Sequence, residues 1–222
     1  MAANEASPSP AFGQYLEAIF ELNEDDVEVI QARVAERLEV SRPAVSEMIR
    51  RMEADGLVAV DRTIALTSSG QEFAEQVVRR HRLAERFLTD VLGLPWADAH
   101  GEAGKWEHVI SGPVEDAMNR LLGAPTTCPH GNPIPGSDYH APDAITLAEL
   151  DPPSAFVVSR IPEELEFAPG QLAFLEESGL RPGVSGTLET RSPDGTTTVQ
   201  VEGRFVGIGS FASERILVVA DS

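Results

Sequence analysis

The sequence predicts an α+β protein in three parts: an N-terminal winged helix-turn-helix, a helical middle and a small C-terminal β-barrel. Three observations predict it. Apolar residues recur at helical spacing through residue 122. One short alternating stretch at 57–67 breaks that rhythm. From about 147 the pattern changes to short β-rich runs separated by turn residues. The expected domains are 1–75, 76–140 and 141–222, and a chain of 222 residues is comfortable for more than one core.

Residues 1–10, "MAANEASPSP", read as a loose tail. "AFGQYLEAIFEL" (11–22) carries a packed helical stripe at positions 12, 15, 16, 19, 20 and 22. A second helix places Val34, Ala35 and Leu38 on one face. The third opens with Ser41 as N-cap and Pro43 in its first turn, buries Val45, Met48, Ile49 and Met52, and stops at Gly56. Two helices joined by about three residues, the second with basic exposed positions, form a helix-turn-helix pattern. "LVAVDRTIALT" then reads as the hairpin wing. One long helix is expected over 68–92, capped by serine and ended by Gly93 and Pro95. Two more follow, at about 96–110 and 113–122. The Pro/Gly-rich segment 123–138 is a structured loop or tether. Within the β-rich tail, "PGQLAFLEESG" is one helical insertion.

Composition narrows the function. Hydrophobic content of 42% supports real cores, and no apolar run approaches the ~18 residues that span a bilayer. The start has no basic-then-apolar signal pattern, and the single Cys128 leaves no internal disulfide; both fit a soluble, cytoplasmic protein with no membrane partner. A net charge of −19 argues against a polyanion partner until its distribution is read. Residues 31–62 hold six arginines against six acids, so the acid excess lies entirely elsewhere.

The chain's chemistry concentrates in "HRLAERFLTDVLGLPWADAHGEAGKWEHVI" (81–110), which contains three of only five histidines. His81 and Glu85 are i,i+4, and His100, Glu107 and His108 stand at i, i+7 and i+8, so each set shares a helix face. If those two helices pack antiparallel, five N and O ligands meet in one seam. That donor set suits Mn(II), Fe(II), Co(II), Ni(II) or Zn(II). An isolated His/Glu pair is usually only a solvated helix face; three histidines and two acids on facing surfaces are harder to dismiss.

"ARVAERLEVSRPAVSEMIRRMEADGLV", "LTSSG", "RRHRLAERFLTDVLGLPWADAHGEAGKWEHVIS" and "PTTCPHGNPIPG" resemble the diphtheria-toxin-repressor or iron-dependent-regulator family. The resemblance covers nearly the whole chain and is strongest over 12–136. It implies a homodimeric, metal-activated transcriptional repressor of metal-homeostasis genes, with operator DNA as partner and an SH3-like C-terminal barrel. It implies Mn(II) or Fe(II) as effector, with Co(II), Ni(II) or Zn(II) substituting in vitro. By position, His81, Glu85 and His100 match its ancillary metal site, with Gln171 on a barrel position of that site. Ala168 stands where a carboxylate is expected, and Glu166 is a candidate replacement. Glu107 and His108 match its primary site. Gln14 occupies a position held by Met or Asp in the family, and Gly104 one held by Cys or Glu. Glu17 matches a ligand of the manganese branch. Losing a charged ligand at Gly104 tilts that site toward a hard, oxygen-rich shell and hence Mn(II). The ancillary-type site is expected to be the tighter one.

On the reading helix, Ser41, Arg42, Pro43, Ala44, Ser46 and Glu47 face the major groove. Arg50 and Arg51 are placed for the DNA backbone, flanked by Arg33 and Arg62. Glu47 replaces a Gln of iron-responsive members, which implies an altered operator. Cys128 and His130 form a Cys-x-His pair that could hold a metal, with a loop-shaping role the favoured expectation; Trp96 and Trp106 are expected to serve cores or dimer contacts, and His140 to have no partner. The acidic runs 24–28 and 163–166 are expected at the solvated surface. Two other functions compete. A zinc hydrolase lacks any His-Glu-x-x-His helix, nucleophile elbow or phosphate loop here. It also leaves the helix-turn-helix without a role, whereas a metal buffer or adaptor, its C-terminal barrel binding a proline-rich segment, would bind metal but no operator. No enzyme activity and no small organic substrate are expected.

Overall fold

The structure is a computed structural model that describes residues 10–221; apart from Pro10, the tail expected at 1–10 lies outside the described residues. Helix α1 (Pro10–Glu24) buries Phe12, Tyr15, Leu16, Ile19 and Leu22, the stripe read from the sequence. It packs with α2 (Gln31–Arg37) and α3 (Arg42–Ala54) around Val34, Val45, Ile49 and Met52. Ser41 caps α3, its Oγ accepting from the Ala44 N–H at 3.4 Å. The wing is an antiparallel hairpin of β1 (Val58–Val60) and β2 (Ile64–Leu66), with Val58 opposite Leu66 and Val60 opposite Ile64.

Helix α4 (Ser68–Arg86) is capped by Thr67, whose Oγ1 accepts from the Gly70 N–H at 3.1 Å, rather than by a serine. The long helix expected to 92 keeps α geometry only to Arg86 and then opens into a π-helical turn over Phe87–Val91. Thr89 Oγ1 donates to the Glu85 carbonyl at 2.9 Å, and this side-chain competition accompanies the change of ladder. Helix α5 (Trp96–Trp106) ends four residues earlier than expected, so Glu107 caps it and His108 lies in the turn beyond. Helix α6 (Gly112–Leu121) follows. Leu83, Ala84, Leu88, Ala99, Ala103 and Ile134 form the middle core.

The C-terminal domain is an SH3-like antiparallel sheet of β3 (Ile145–Thr146), β4 (Ser154–Arg160), β5 (Ser185–Arg191), β6 (Thr197–Val201), β7 (Arg204–Ile208) and β8 (Leu217–Ala220), in the order β3-β8-β4-β5-β6-β7. Between β4 and β5 lie a one-turn helix α7 (Glu163–Glu166) and α8 (Gln171–Glu177), and α9 (Ser210–Ser213) precedes β8. Phe156, Leu165, Leu175, Leu188 and Val199 fill its core, together with Trp96 of α5. The Trp96 N–H donates to Glu176 Oε2 at 3.0 Å, so this tryptophan ties the sensor helix into the C-terminal domain.

Segment 123–138 is no exposed tether. Cys128, His130 and Asn132 are fully buried. The Cys128 N–H donates to the Asn132 carbonyl at 2.9 Å, and the Ile161 N–H donates to the His130 carbonyl at 2.8 Å. The acidic runs also depart from expectation. Glu163 and Glu166 are buried, and Glu24 and Asp25 pair with Arg82 and Arg160. An acidic stretch reads as solvated by default; here arginines from other elements meet Glu163 and the half-buried Glu24 and Asp25, while Glu166 faces His100, His130 and Asn132.

Candidate metal centre and DNA-reading helix

Helix α4 packs against α1 and against α5, and the one-turn α7 touches α1. His81 sits between two donor groups. Its Nδ1 lies 2.5 Å from Glu107 Oε2 and 3.7 Å from Glu17 Oε1. Its Nε2 lies 3.4 Å from both Glu85 Oε1 and His100 Nδ1. Beyond it, His100 Nδ1 lies 3.0 Å from Glu85 Oε1 and 3.2 Å from Glu166 Oε2. His130 Nδ1 reaches the same two carboxylates, at 2.8 Å from Glu166 Oε2 and 3.6 Å from Glu85 Oε1.

Of the residues singled out in the sequence, His81, Glu85, His100, Glu107 and Glu17 therefore come together. His108 stands aside, its Nε2 3.3 Å from Glu107 Oε1 and its ring against Gly13 of α1. Gln14 is exposed and Gly104 half-buried; both line a cavity of about 840 Å³ that also borders Glu17, Glu107, His81 and His100. Gln171 opens α8 with its Oε1 buried and without a hydrogen-bond partner. His140 is exposed, 3.4 Å from Asp138. Sequence reasoning favoured a loop-shaping His130 over a metal-binding Cys-x-His pair, and took Glu163 for solvated surface; the structure buries both. The only signal for them was the "CPHGNP" turn and the unbroken acidic run, and neither spacing points at residues 85 or 100.

The electrostatics favour a cation. Burial works against charging His100, but the close Glu166 and Glu85 carboxylates outweigh it and push its pKa up to about 11. Burial likewise opposes the His81 cation and is overcome by the charge of Glu85 and the hydrogen bond to Glu107. Burial would raise Glu85, yet the neighbouring His130 and His81 hold it well below the usual carboxylate range. On the other side of His81, burial and the charge of Glu107 push Glu17 well up. Positive charge is thus drawn into the seam at His81 and His100. Glu17 Oε1, Glu85 Oε2, His108 Nε2 and His130 Nε2 are buried without a hydrogen-bond partner, and Glu166 Oε2 meets two imidazoles at close range without hydrogen-bond alignment. Orphaned donors around clustered carboxylates fit a divalent transition ion with N and O ligands.

A buried ion-pair network backs this cluster. Arg82, fully buried, donates to Glu24 Oε2 at 2.6 Å and Glu163 Oε1 at 2.9 Å. Arg160 pairs with Glu24 at 3.1 Å and with Asp25, and its Nε donates to Asn132 Oδ1. Arg37 lies 3.1 Å from Glu21 and stacks 4.0 Å over the Phe167 ring. DNA-binding, sensor and C-terminal segments meet in these pairs.

The reading helix presents Ser41, Arg42, Pro43, Glu47, Arg50 and Arg51 to solvent, with Ser46 half-buried on the same exposed side. Arg50 is paired with Glu47, and Arg51 lies 5.3 Å over the Phe12 ring. Arg33, also exposed, pairs with Glu36 at 3.0 Å.

Residues 67–136 match the iron dependent repressor metal binding and dimerisation domain, residues 9–66 its N-terminal DNA binding domain, and residues 145–220 the FeoA domain. The iron-dependent repressor IdeR of Mycobacterium tuberculosis is 43% identical over 202 residues, covering 85% of this chain and 87% of that protein. The chain belongs to the iron-dependent repressor family. Another member, the diphtheria toxin repressor of Corynebacterium diphtheriae, is 50% identical over 126 residues, 56% of each chain. Among solved structures, a manganese-dependent transcriptional repressor in complex with manganese superposes with a TM-score of 0.85 at 32% identity, over 94% of this chain and 99% of that one. These family members are described as repressors, not enzymes. No helix of the described residues is long and apolar enough to cross a membrane.

Proposed function

We propose that this chain is a metal-activated, DNA-binding transcriptional repressor that responds to Mn(II) or Fe(II) and controls metal-homeostasis genes in the cytoplasm. The observation that carries this reading is the position of Glu17. It belongs to α1, in the core of the reading domain, yet its carboxylate faces His81 and Glu107 of the sensor helices. When bound, a divalent ion supplies the positive charge that lets these carboxylates share one buried site. Glu17 then holds α1 at a fixed offset from α4, and α3 moves with α1 because they share a core. A solved relative with zinc bound, and again with cadmium, supports Zn(II) as a substitute, and the same N and O donor set suits Co(II) and Ni(II).

The functional unit is a homodimer on double-stranded operator DNA. A protein of charge −19 has little free attraction for phosphate, and two linked reading helices offset that deficit. Exposed Val91, Leu92, Val109, Val114 and Leu121 of the sensor domain supply apolar surface for such a contact. Selection from a random DNA pool with Mn(II) or Fe(II), followed by mobility shift, tests the reading. Retardation with metal and none with chelator is expected; binding indifferent to chelation rejects it.

A further inference from the structure

We propose that the corner Arg160–Phe167 of the C-terminal domain is a latch that sets the orientation of the reading domain, giving the metal signal a second route to α3 that does not pass through Glu17. This rests on the metal-activated reading above, and it assigns a positioning role to Asp25, Arg37 and Phe167.

The corner grips the reading domain at both ends of the α1–α2 connection. Arg160 Nη2 donates to Glu24 Oε2 at 3.1 Å and pairs with Asp25. The Glu164 N–H donates to the other Asp25 oxygen, Oδ2, at 3.2 Å. From α2, Arg37 Nη1 donates to the Glu163 carbonyl at 3.1 Å while its guanidinium lies 4.0 Å over the Phe167 ring. A further hydrogen bond, to Glu21 at 3.1 Å, ties the same guanidinium back to α1. Charge-assisted hydrogen bonds of this kind add geometric specificity as well as energy.

Beside the corner, the two domains face each other across the cavity of about 840 Å³, with Leu38 and Val40 on the reading side and Ala168, Pro169 and Phe211 on the other. Domains that share a small polar interface move relative to one another by default. Open space on one side and a few directional contacts on the other make the corner a pivot for the reading domain.

The same corner touches the sensor. The Phe167 ring that carries Arg37 also meets the His100 imidazole, with ring centroids 5.0 Å apart at 88°. One side chain of the C-terminal domain thus stands between an imidazole of the seam and a guanidinium of the reading domain. Packing alone would be met by a leucine at 167, whereas a guanidinium is attracted to an aromatic face. Helix α2 shares a core with α3, where Val34 is buried with Val45 and Ile49. Holding His100 in one orientation therefore holds Phe167, Arg37, α2 and α3 in turn. Glu17 acts separately, through α1.

The test is hydrogen exchange of the full chain without DNA, in saturating Mn(II) and in chelator. Mn(II) should slow amide exchange in α2 (31–37) as well as across 81–106. In Asp25→Ala/Phe167→Leu, Mn(II) affinity and the slowing across 81–106 should stay within about threefold of wild type, while the slowing in α2 falls at least tenfold. Glu17→Gln should keep the slowing in α2. A merely structural role would lower stability in chelator and leave the metal-dependent slowing in α2 untouched. Slowing in α2 that survives in the double variant, is lost in Glu17→Gln or is absent from wild type overturns the proposal. So does loss of Mn(II) binding in the double variant. If that variant fails to fold, Phe167→Leu, which keeps every ion pair, decides by the same criteria. Operator binding is read separately by mobility shift, so the latch and the repressor reading fail independently.

Discussion

His81 Nδ1 lies 2.5 Å from Glu107 Oε2 while the opposite nitrogen of the same ring faces Glu85 Oε1 at 3.4 Å. One imidazole therefore separates two donor groups, one of Glu17 and Glu107 and the other of Glu85, His100, Glu166 and His130. A histidine that ligates through one nitrogen is oriented by the carboxylate on the other. Replacing His81 by Ala should remove a ligand from the second group and an anchor from Glu107 at once. We expect the tightest Mn(II) or Fe(II) equivalent to weaken at least tenfold in His81→Ala, and His108→Ala to spare it. Calorimetric titration of the chelated protein decides this, and retention of the tight ion by His81→Ala with its loss in His108→Ala would reverse the assignment.

Which of these relationships were legible depends on how far apart in the chain the partners stand. The reading helix was legible because Ser41, Pro43 and the Val45–Ile49–Met52 stripe act within a few residues of one another. His81 with Glu85 follows from helical spacing alone. Glu166 against His100 does not, because no periodicity links residue 166 to residue 100. The Cys-x-His pair was visible, but the partners of His130 were not: prolines and glycines usually mark surface turns, yet Asn132 turns this one inward through hydrogen bonds to Ile161 and Glu166. The end of α5 was misplaced because the His100/Glu107/His108 spacing mimics a continuing helix, whereas Glu107 occupies its cap.

Arg82 carries the contact between the sensor helix and the C-terminal domain. It is fully buried and holds Glu163, itself 1% exposed, together with Glu24. Removing one partner of such a pair leaves an uncompensated buried charge, at a cost of about 3–5 kcal/mol. Arg82→Met should lose that much in urea unfolding of the chelated protein. Adding Glu163→Gln should restore part of it; a double variant no better than the single one would place the loss elsewhere.

The chelated protein should lose stability as pH rises. Burial, reinforced by the Glu163 charge, pushes Glu21 up to about 8 against its Arg37 and Arg82 partners. Burial pushes Asp25 up to about 7 despite Arg160. Both hold a proton in the fold that the unfolded chain releases in the ordinary carboxylate range, so their contribution is present at low pH and vanishes as pH climbs through about 7–8. His100, held at about 11, acts in the same direction, its contribution fading from about 6.5 upward. Glu85 and Glu166 oppose this only in acid, below the usual carboxylate range. Tm without metal should therefore fall from pH 5.5 to 8.5, and Glu21→Gln should flatten the slope. A Tm that climbs over that interval contradicts the assignment.

On the reading helix, Glu47 pairs with Arg50, and both are exposed. The acid withholds a cation from the DNA backbone. Glu47→Gln should tighten binding to the selected operator and narrow the gap between specific and non-specific sites. Arg50→Ala should weaken binding uniformly across sequences and lower the salt slope by about one per protomer. Mobility shifts at several salt concentrations separate these outcomes; a sequence-dependent loss in Arg50→Ala would make it a base reader instead.

Gly104 leaves room beside Glu17 and Glu107. A Cβ built there meets no other atom within 4 Å, and the residue lines the cavity that borders both carboxylates. A side chain at this position therefore fits without repacking. Gly104→Glu adds a hard oxygen donor and should raise Mn(II) affinity at the Glu17/Glu107 group at least tenfold. Gly104→Cys adds a thiolate, which should favour Fe(II), Co(II) and Zn(II) over Mn(II). The helical position gains a further few tenths to about 1 kcal/mol from replacing glycine, so stability without metal sets the baseline for both variants. Equal gains for all ions, or none, would mean that α5 does not face the Glu17/Glu107 group closely enough for residue 104 to ligate.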